Sequence, residues 1–271
     1  MSLYFFLIIS VYLGYLLFKA NKNTSKVAVR TVSVERPDIV LAGNKIKILH
    51  LSDLHLENIS ISPKELYELI AGKDFDLIAL TGDFMDRKRS LPKLAPYLQM
   101  LNKLEPRYGM YAVFGNHDYV LKGNNFEALK EILEQNGCRT LRNEHTVIDI
   151  NGEKLNIIGI DNYSTKHHNV AQSYLGVREG YNLVLTHDPN VVLEMKDYKY
   201  DYLLSGHFHG GQIHWPKPYH LAKMGKLVRM NMVKGLHYHN GMPFYISEGL
   251  GQTGINIRIG SRPEITVHEI A

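Results

Sequence analysis

HLSDLHLE, residues 50–57, follows the run NKIKIL at residues 44–49 and sets an Asp and a His two positions apart. In an extended segment side chains alternate between faces, so Asp53 and His55 fall on one side while Leu54 turns back toward the core. A carboxylate and an imidazole then converge on one point. Such pairs are common near strand ends, so the rest of the chain has to decide what this one means.

The pattern around it repeats. KIKILHLS, DLIALTG, MYAVFG, LNIIGI, NLVLTH and YLLSGH are short apolar runs bounded by Gly, Asp or Asn, as strands of a largely buried sheet are. Helix-like stretches lie between some of them. SPKELYELIAGK opens with Ser62 as an N-cap and Pro63 at the first helical position, and NNFEALKEILEQNG closes with Gly137 as a C-cap. The alternation predicts an α/β architecture. No internal repeat or low-complexity segment interrupts it.

Polar residues fall repeatedly just past these strands: Asp53 with His55, Asp83, Asn116 with His117, His187, and His207 with His209. Ligands of α/β sheets bind outside the carboxyl ends of the strands, where loops converge, so these side chains are expected around one site. Five of the 14 histidines belong to this set. The others read as surface or core residues, with His50 and His214 close enough to the motifs to need checking.

Each motif has its own chemistry. In TGDFMDR (81–87), the two oxygens of Asp83 suit a ligand that bridges two cations. In FGNHD (114–118), adjacent residues of an extended stretch diverge, which lets Asn116 present an amide oxygen to a metal while His117 faces a substrate. SGHFHGGQ (205–212) repeats the D-x-H spacing with two imidazoles and adds glycines that permit close backbone approach. Imidazole and carboxylate together suit Zn, Fe or Mn.

In this order, D-x-H, G-D-x-x-D, G-N-H-D, a lone His and G-H-x-H, the five blocks resemble the calcineurin-like metallophosphoesterases. Together with SEGLGQTGINIRIGSRPEIT (247–266), they look like a membrane-associated bacterial subgroup of that family. The resemblance covers roughly residues 44 to 271. It implies a four-layer α/β/β/α sandwich and two divalent cations (Mn, Fe or Zn). Asp53, His55, Asp83 and His209 would hold one cation, and Asp83, Asn116, His187 and His207 the other. His117 would act as general acid, with Asp86 orienting it and Arg87 contacting phosphate oxygens. For Arg87 a solvated place in the basic run DRKR is an equal alternative, and Asp118 and Asp188 read either as partners of ligand histidines or as plain turn residues.

Composition narrows little. The chain has 271 residues, 45% hydrophobic and 21% charged, and its 31 Lys and Arg against 27 Asp and Glu give a net +4. That excess is too small to argue for nucleic acid. The single cysteine, Cys138, excludes an internal disulfide and a thiolate-rich metal site. Nothing calls for an obligate protein partner.

The first residues carry a separate signal. LYFFLIISVYLGYLLF (3–18) has no charged residue, and KANKNTSK follows it with three lysines. At about 1.5 Å per residue the run spans about 24 Å, short of the ~30 Å hydrocarbon core, so Ser2, Ala20 and a snorkelling Lys19 have to help. It is read as an uncleaved transmembrane helix rather than a signal peptide or a buried core helix. The expected division is an anchor over 1–20, a linker over 21–43 and the metallophosphoesterase domain over 44–271. Lys19, Lys22, Lys26 and Arg30 follow the run, which places the domain in the cytoplasm by the positive-inside rule.

The segment QIHWPKPYHLAKMGKLVRMNMVKGLHYHNG (212–241) mixes basic residues with Trp215, Tyr219, Leu221, Met224 and Leu227. It reads either as an irregular surface excursion or as a cover for a phosphorylated small-molecule or lipid-linked substrate at the membrane. Two other functions stay open: a nuclease with the same kind of metal site, and a membrane-tethered scaffold. No long basic track interleaved with aromatics supports the first. A scaffold has little use for His117, which the ligand assignment does not need.

Overall fold

The structure, a computed structural model, describes residues 2–35 and 45–270. Strands β1 (Ala28–Val34), β2 (Ile46–Leu51), β3 (Leu77–Thr81), β4 (Met110–Val113), β5 (Cys138–Thr140) and β12 (Glu264–Ile270) form one sheet in the order β1-β12-β2-β3-β4-β5. Strands β6 (Glu144–Ile150), β7 (Glu153–Gly159), β8 (Tyr181–Leu185), β9 (Tyr202–Ser205), β10 (Gly235–His239) and β11 (Met242–Ile246) form a second, in the order β10-β11-β9-β8-β7-β6. The six apolar runs of the sequence are β2, β3, β4, β7, β8 and β9. Within each sheet, three of these run parallel to one another, so their carboxyl ends share one edge.

The sheets face each other. Ile48, Ala79 and Val113 of the first and Ile157, Leu183 and Leu204 of the second belong to one buried cluster, so these strands are apolar on both faces. Helices α2 (Pro63–Ile70), α3 (Leu91–Asn102) and α4 (Asn124–Gln135) cover the outer face of the first sheet, with Leu66, Leu98 and Leu129 packed in the cluster of Leu49, Leu80 and Ala112. Helix α2 starts as its sequence predicts. Ser62 Oγ accepts from Glu65 N at 3.2 Å, and a Glu65 oxygen accepts from Ser62 N at 2.7 Å, with Pro63 opening the helix. Past α4, Gly137 takes φ +77°. The outer face of the second sheet is less regular: α5 (Val170–Tyr174), α6 (Lys226–Arg229) and several 3₁₀ turns bury Val170, Val191 and Leu227 there.

Helix α1 (Ser2–Lys22) projects from this body, and Tyr4–Ser25 is long and apolar enough to cross a membrane. Tyr4 and Phe6 are 75% and 65% exposed, which sets aside the core-helix alternative. The end of α1 is fastened: Ala20 is buried, its carbonyl accepts from Arg258 N at 2.9 Å, and Asn21 Nδ2 donates to Asn256 O at 2.7 Å.

Part of the expected 21–43 linker is sheet. β1 pairs in parallel with β12 from Ala28↔Glu264 to Val34↔Ile270, and Arg30 Nε donates to Glu264 Oε2 at 2.8 Å. The β-branched, alternating VAVRTVSV suits an edge strand, a signal masked by the polar residues before it. Residues 36–43, and residue 44 where the domain was expected to begin, lie outside the described residues.

Candidate metal centre

The D-x-H pair does not converge by strand alternation. β2 ends at Leu51, and Asp53 and His55 have φ of +51° and +39°. Asp83, His207 and His209 also have positive φ, at +54°, +77° and +50°. A non-glycine residue in this region is uncommon, and five at one place mark a backbone held against its preference for the sake of a site. The loops brace one another: Asp53 N donates to Gly82 O at 2.9 Å, and His55 N to Asp83 O at 3.0 Å. Asn116 and His117 likewise sit in a turn rather than an extended stretch.

These turns bring six of the expected ligands, and with them the expected acid His117, together in three overlapping groups: Asp53, His55 and His209; His55, Asp83 and His117; and Asp83, His187 and His207. His55 Nε2 lies 3.2 Å from His209 Nε2 and 3.6 Å from Asp83 Oδ2. His187 Nε2 lies 3.1 Å from both Asp83 Oδ2 and His207 Nδ1, and His209 Nε2 lies 3.4 Å from Asp53 Oδ1. Asp83 is thus common to both sides of the cluster.

The donor set fits cations. Two buried carboxylates and four buried imidazoles aimed at one another need positive charge between them. Burial pulls the His187 imidazolium down, but Asp83 and Asp53 outweigh this and push its pKa up to about 10. Burial raises the Asp83 carboxyl, but His187, His55 and His117 hold it well below its usual range. Among the described residues Asn116 Oδ1 is buried with no hydrogen-bond partner, as a metal-directed amide oxygen would be.

The motif glycines explain how the ligands get so close. A Cβ on Gly115 would stand 2.1 Å from Asp83 Oδ1, and one on Gly206 would stand 2.2 Å from Asp53 Oδ2. Neither glycine has positive φ, so close approach alone demands the missing side chain.

Asp86 and His117 form the accessible part of the site. Asp86 Oδ1 accepts from His55 Nδ1 at 2.9 Å and lies 3.1 Å from His117 Nδ1. The His117 side chain is 30% exposed, against 1% for His55 and 0% for His187, so of these three imidazoles it is the accessible one. Burial lowers its pKa, but the bond to Asp86 and the charges of Asp83 and Asp86 raise it to about 9, which keeps a proton on the ring.

The remaining assignments divide. Arg87 is not drawn into the cluster: it is exposed, and its backbone amide donates to Glu57 Oε1 at 2.9 Å. Glu57 also accepts from Asp86 N, and so holds the loop that presents Asp86. Asp118 opens a 3₁₀ turn and is not a histidine partner. It is buried and accepts from the amides of Asp83, Phe84 and Gly115, tying two ligand loops together. Asp188 caps the following turn by accepting from Asn190 N at 2.9 Å, and its other oxygen lies 3.7 Å from His207 Nε2. His187 Nδ1 donates to Thr81 O at 2.7 Å, which fixes its tautomer. His50 is a core residue bonded to His268 and Thr81, and His214 braces the Gly210 carbonyl.

Arg258 was missed altogether. It is fully buried, and its guanidinium donates to the carbonyls of His209, Glu248, Gly249 and Gly251. The only sequence signal was its place in the 247–266 block.

Comparison with known proteins agrees with this geometry. The sequence profile of the family described as Calcineurin-like phosphoesterase matches residues 46–211. The chain is 67% identical over 254 residues to the metallophosphoesterase YkoQ of Bacillus subtilis, covering 94% of each. It is 28% identical to the phosphodiesterase YaeI of Escherichia coli, covering 83% of this chain and 82% of that one. Among solved structures, TT1561 of Thermus thermophilus superposes with a TM-score of 0.50 at 12% identity, over 76% of this chain and 91% of that one, a likeness of fold.

Proposed function

The chain belongs to the calcineurin-like phosphoesterase family, and from that premise we propose that it is a membrane-anchored hydrolase of phosphoester or pyrophosphate bonds that uses two divalent cations. One observation carries the reading. Buried ligand groups meet at Asp83, and beside them stands a half-buried imidazole, His117, with a carboxylate of its own.

Asp53, His55, Asp83 and His209 would hold one cation and Asp83, Asn116, His187 and His207 the other. Bound there, the pair would supply Lewis acidity toward phosphoryl oxygens and acidify a water molecule. His117 keeps Nδ1 on Asp86, which leaves Nε2 to give its proton to the leaving oxygen as the P–O bond breaks. Asp86 orients that ring and His55 together. We read the two sheets and their flanks as the four-layer sandwich of the family. The name of YaeI favours a phosphodiester among the ester classes. The exposed apolar face of α1 supports a membrane or cell-envelope substrate.

The test uses the full chain, stripped of metal and refilled with manganese, on bis(p-nitrophenyl) phosphate, p-nitrophenyl phosphate and pyrophosphate. Asp83→Asn should lose both metal and turnover. His117→Ala should keep its metal and lose about 10²–10⁴-fold in rate. Stoichiometric metal without turnover of any of the three would favour the scaffold instead.

A further inference from the structure

Two cavities open on the cluster, share His207 and Met224, and diverge from there. One, of about 400 Å³, reaches His117 and His209 and is walled by Phe208, Ile213, Leu221 and Ile255. The other, of about 550 Å³, reaches Asn116 and gathers Lys223, Lys226 and Arg229. The acid on its wall, Asp188, is already engaged by Asn190. The excursion after the GHFH block separates the two: Leu221 lines the first, and Lys223 and Lys226 line the second.

The apolar cavity has a particular address. Ile255 on its wall is 67% exposed, and the next residue, Asn256, receives the hydrogen bond from Asn21 at the end of α1. Trp215 and Tyr219, 77% and 68% exposed, stand on the same excursion as Leu221, as aromatics do where protein meets a bilayer surface. A hydrocarbon chain leaving the membrane beside α1 would meet this opening.

We infer, resting on the phosphohydrolase reading, that the substrate is a bilayer amphiphile. Its hydrocarbon chain occupies the cavity of Phe208, Ile213, Leu221 and Ile255, its scissile phosphorus lies at Asp83 and His117, and a second anionic group lies among Lys223, Lys226 and Arg229. Chain burial should tighten binding about threefold to fourfold per enclosed methylene. The second anion makes affinity sensitive to salt.

The experiment measures binding apart from turnover. The manganese-loaded full chain, held in amphipol, is titrated by calorimetry with methyl, hexyl and octyl methylenediphosphonates and with octyl phosphonate. The octyl diphosphonate should bind at least about 100-fold more tightly than the methyl one. Leu221→Asp and, at an exposed position, Ile255→Asp should each flatten that ladder, and the Lys223→Ala, Lys226→Ala, Arg229→Ala triple variant should reduce the preference for diphosphonate over phosphonate. In vesicles, hexadecyl diphosphate should be hydrolysed when it shares the enzyme's bilayer and not when it is confined to separate vesicles. Equal affinity for methyl and octyl probes, or a ladder unchanged in both Asp variants, would overturn the inference. Equal hydrolysis in separate vesicles would overturn the bilayer route. If p-nitrophenyl esters are still turned over, the phosphohydrolase reading stands without it; if no ester or pyrophosphate is cleaved, that reading is what fails.

Discussion

Nδ1 of His117 lies 3.1 Å from Oδ1 of Asp86, and the same oxygen accepts from Nδ1 of His55 at 2.9 Å. One carboxylate oxygen therefore sets the ring of the proposed proton donor and the ring of a proposed metal ligand. Asp86→Asn keeps the acceptor and removes the charge that holds the His117 proton, so kcat should fall about 10- to 100-fold, with metal affinity weakened less. Steady-state rates and metal content measured on one preparation decide this; an unchanged kcat would sink the role given to Asp86.

Asp118 holds the amides of Asp83, Phe84 and Gly115 at 2.9, 2.8 and 2.8 Å. Asp118→Ala leaves those buried donors without a partner, each costing about 1–3 kcal/mol. The urea midpoint should drop by the equivalent of about 3–5 kcal/mol, and Asp118→Asn, which keeps one acceptor oxygen, should lose less.

Gly115→Ala and Gly206→Ala test close approach without backbone strain, because neither position has positive φ. A Cβ would meet Asp83 Oδ1 or Asp53 Oδ2 at little over 2 Å, displacing a ligand carboxylate. Both variants should lose metal by elemental analysis, and at Gly206 the Cβ would also meet Ser52 Oγ at 1.9 Å. Gly14→Ala in α1, where φ is not positive and nothing among the described residues lies within 4 Å of the added Cβ, should retain the metal.

Chelation should destabilise the fold, because the cluster gathers buried carboxylates on strained loops. With free metal at about 100 times its Kd, binding contributes about 2.7 kcal/mol, which corresponds to about 5–10 °C in Tm for a chain of this size. Calorimetry with and without chelator reads it directly, and an unchanged Tm would argue against a metal held by these residues.

Removing residues 1–34 takes away β1 as well as α1, exposing the β12 edge and stranding Glu264 without Arg30. Such a truncation should aggregate or unfold several degrees lower than one removing only residues 1–17. Equal stability would mean that the edge strand is dispensable.

Much of this was legible in the sequence because it is local. Short apolar runs between Gly, Asp and Asn marked six strands, five of which carry the site, Ser62 with Glu65 marked a helix start, and the motif blocks named the residues of the cluster. Even there the mechanism differed: Asp53 and His55 meet through left-handed turns braced by the Gly82 and Asp83 carbonyls, not through strand alternation. What tertiary structure alone decided depends on partners far apart in the chain. Arg258 clamping His209, β1 closing on β12, Asp118 joining two loops and Arg87 standing aside all rest on contacts that no local pattern encodes. The sequence determines which groups are available and which strand ends carry them. Packing determines which approach within 3–4 Å and which are left to water, because that is settled only when the two sheets and their loops bury one another's surfaces.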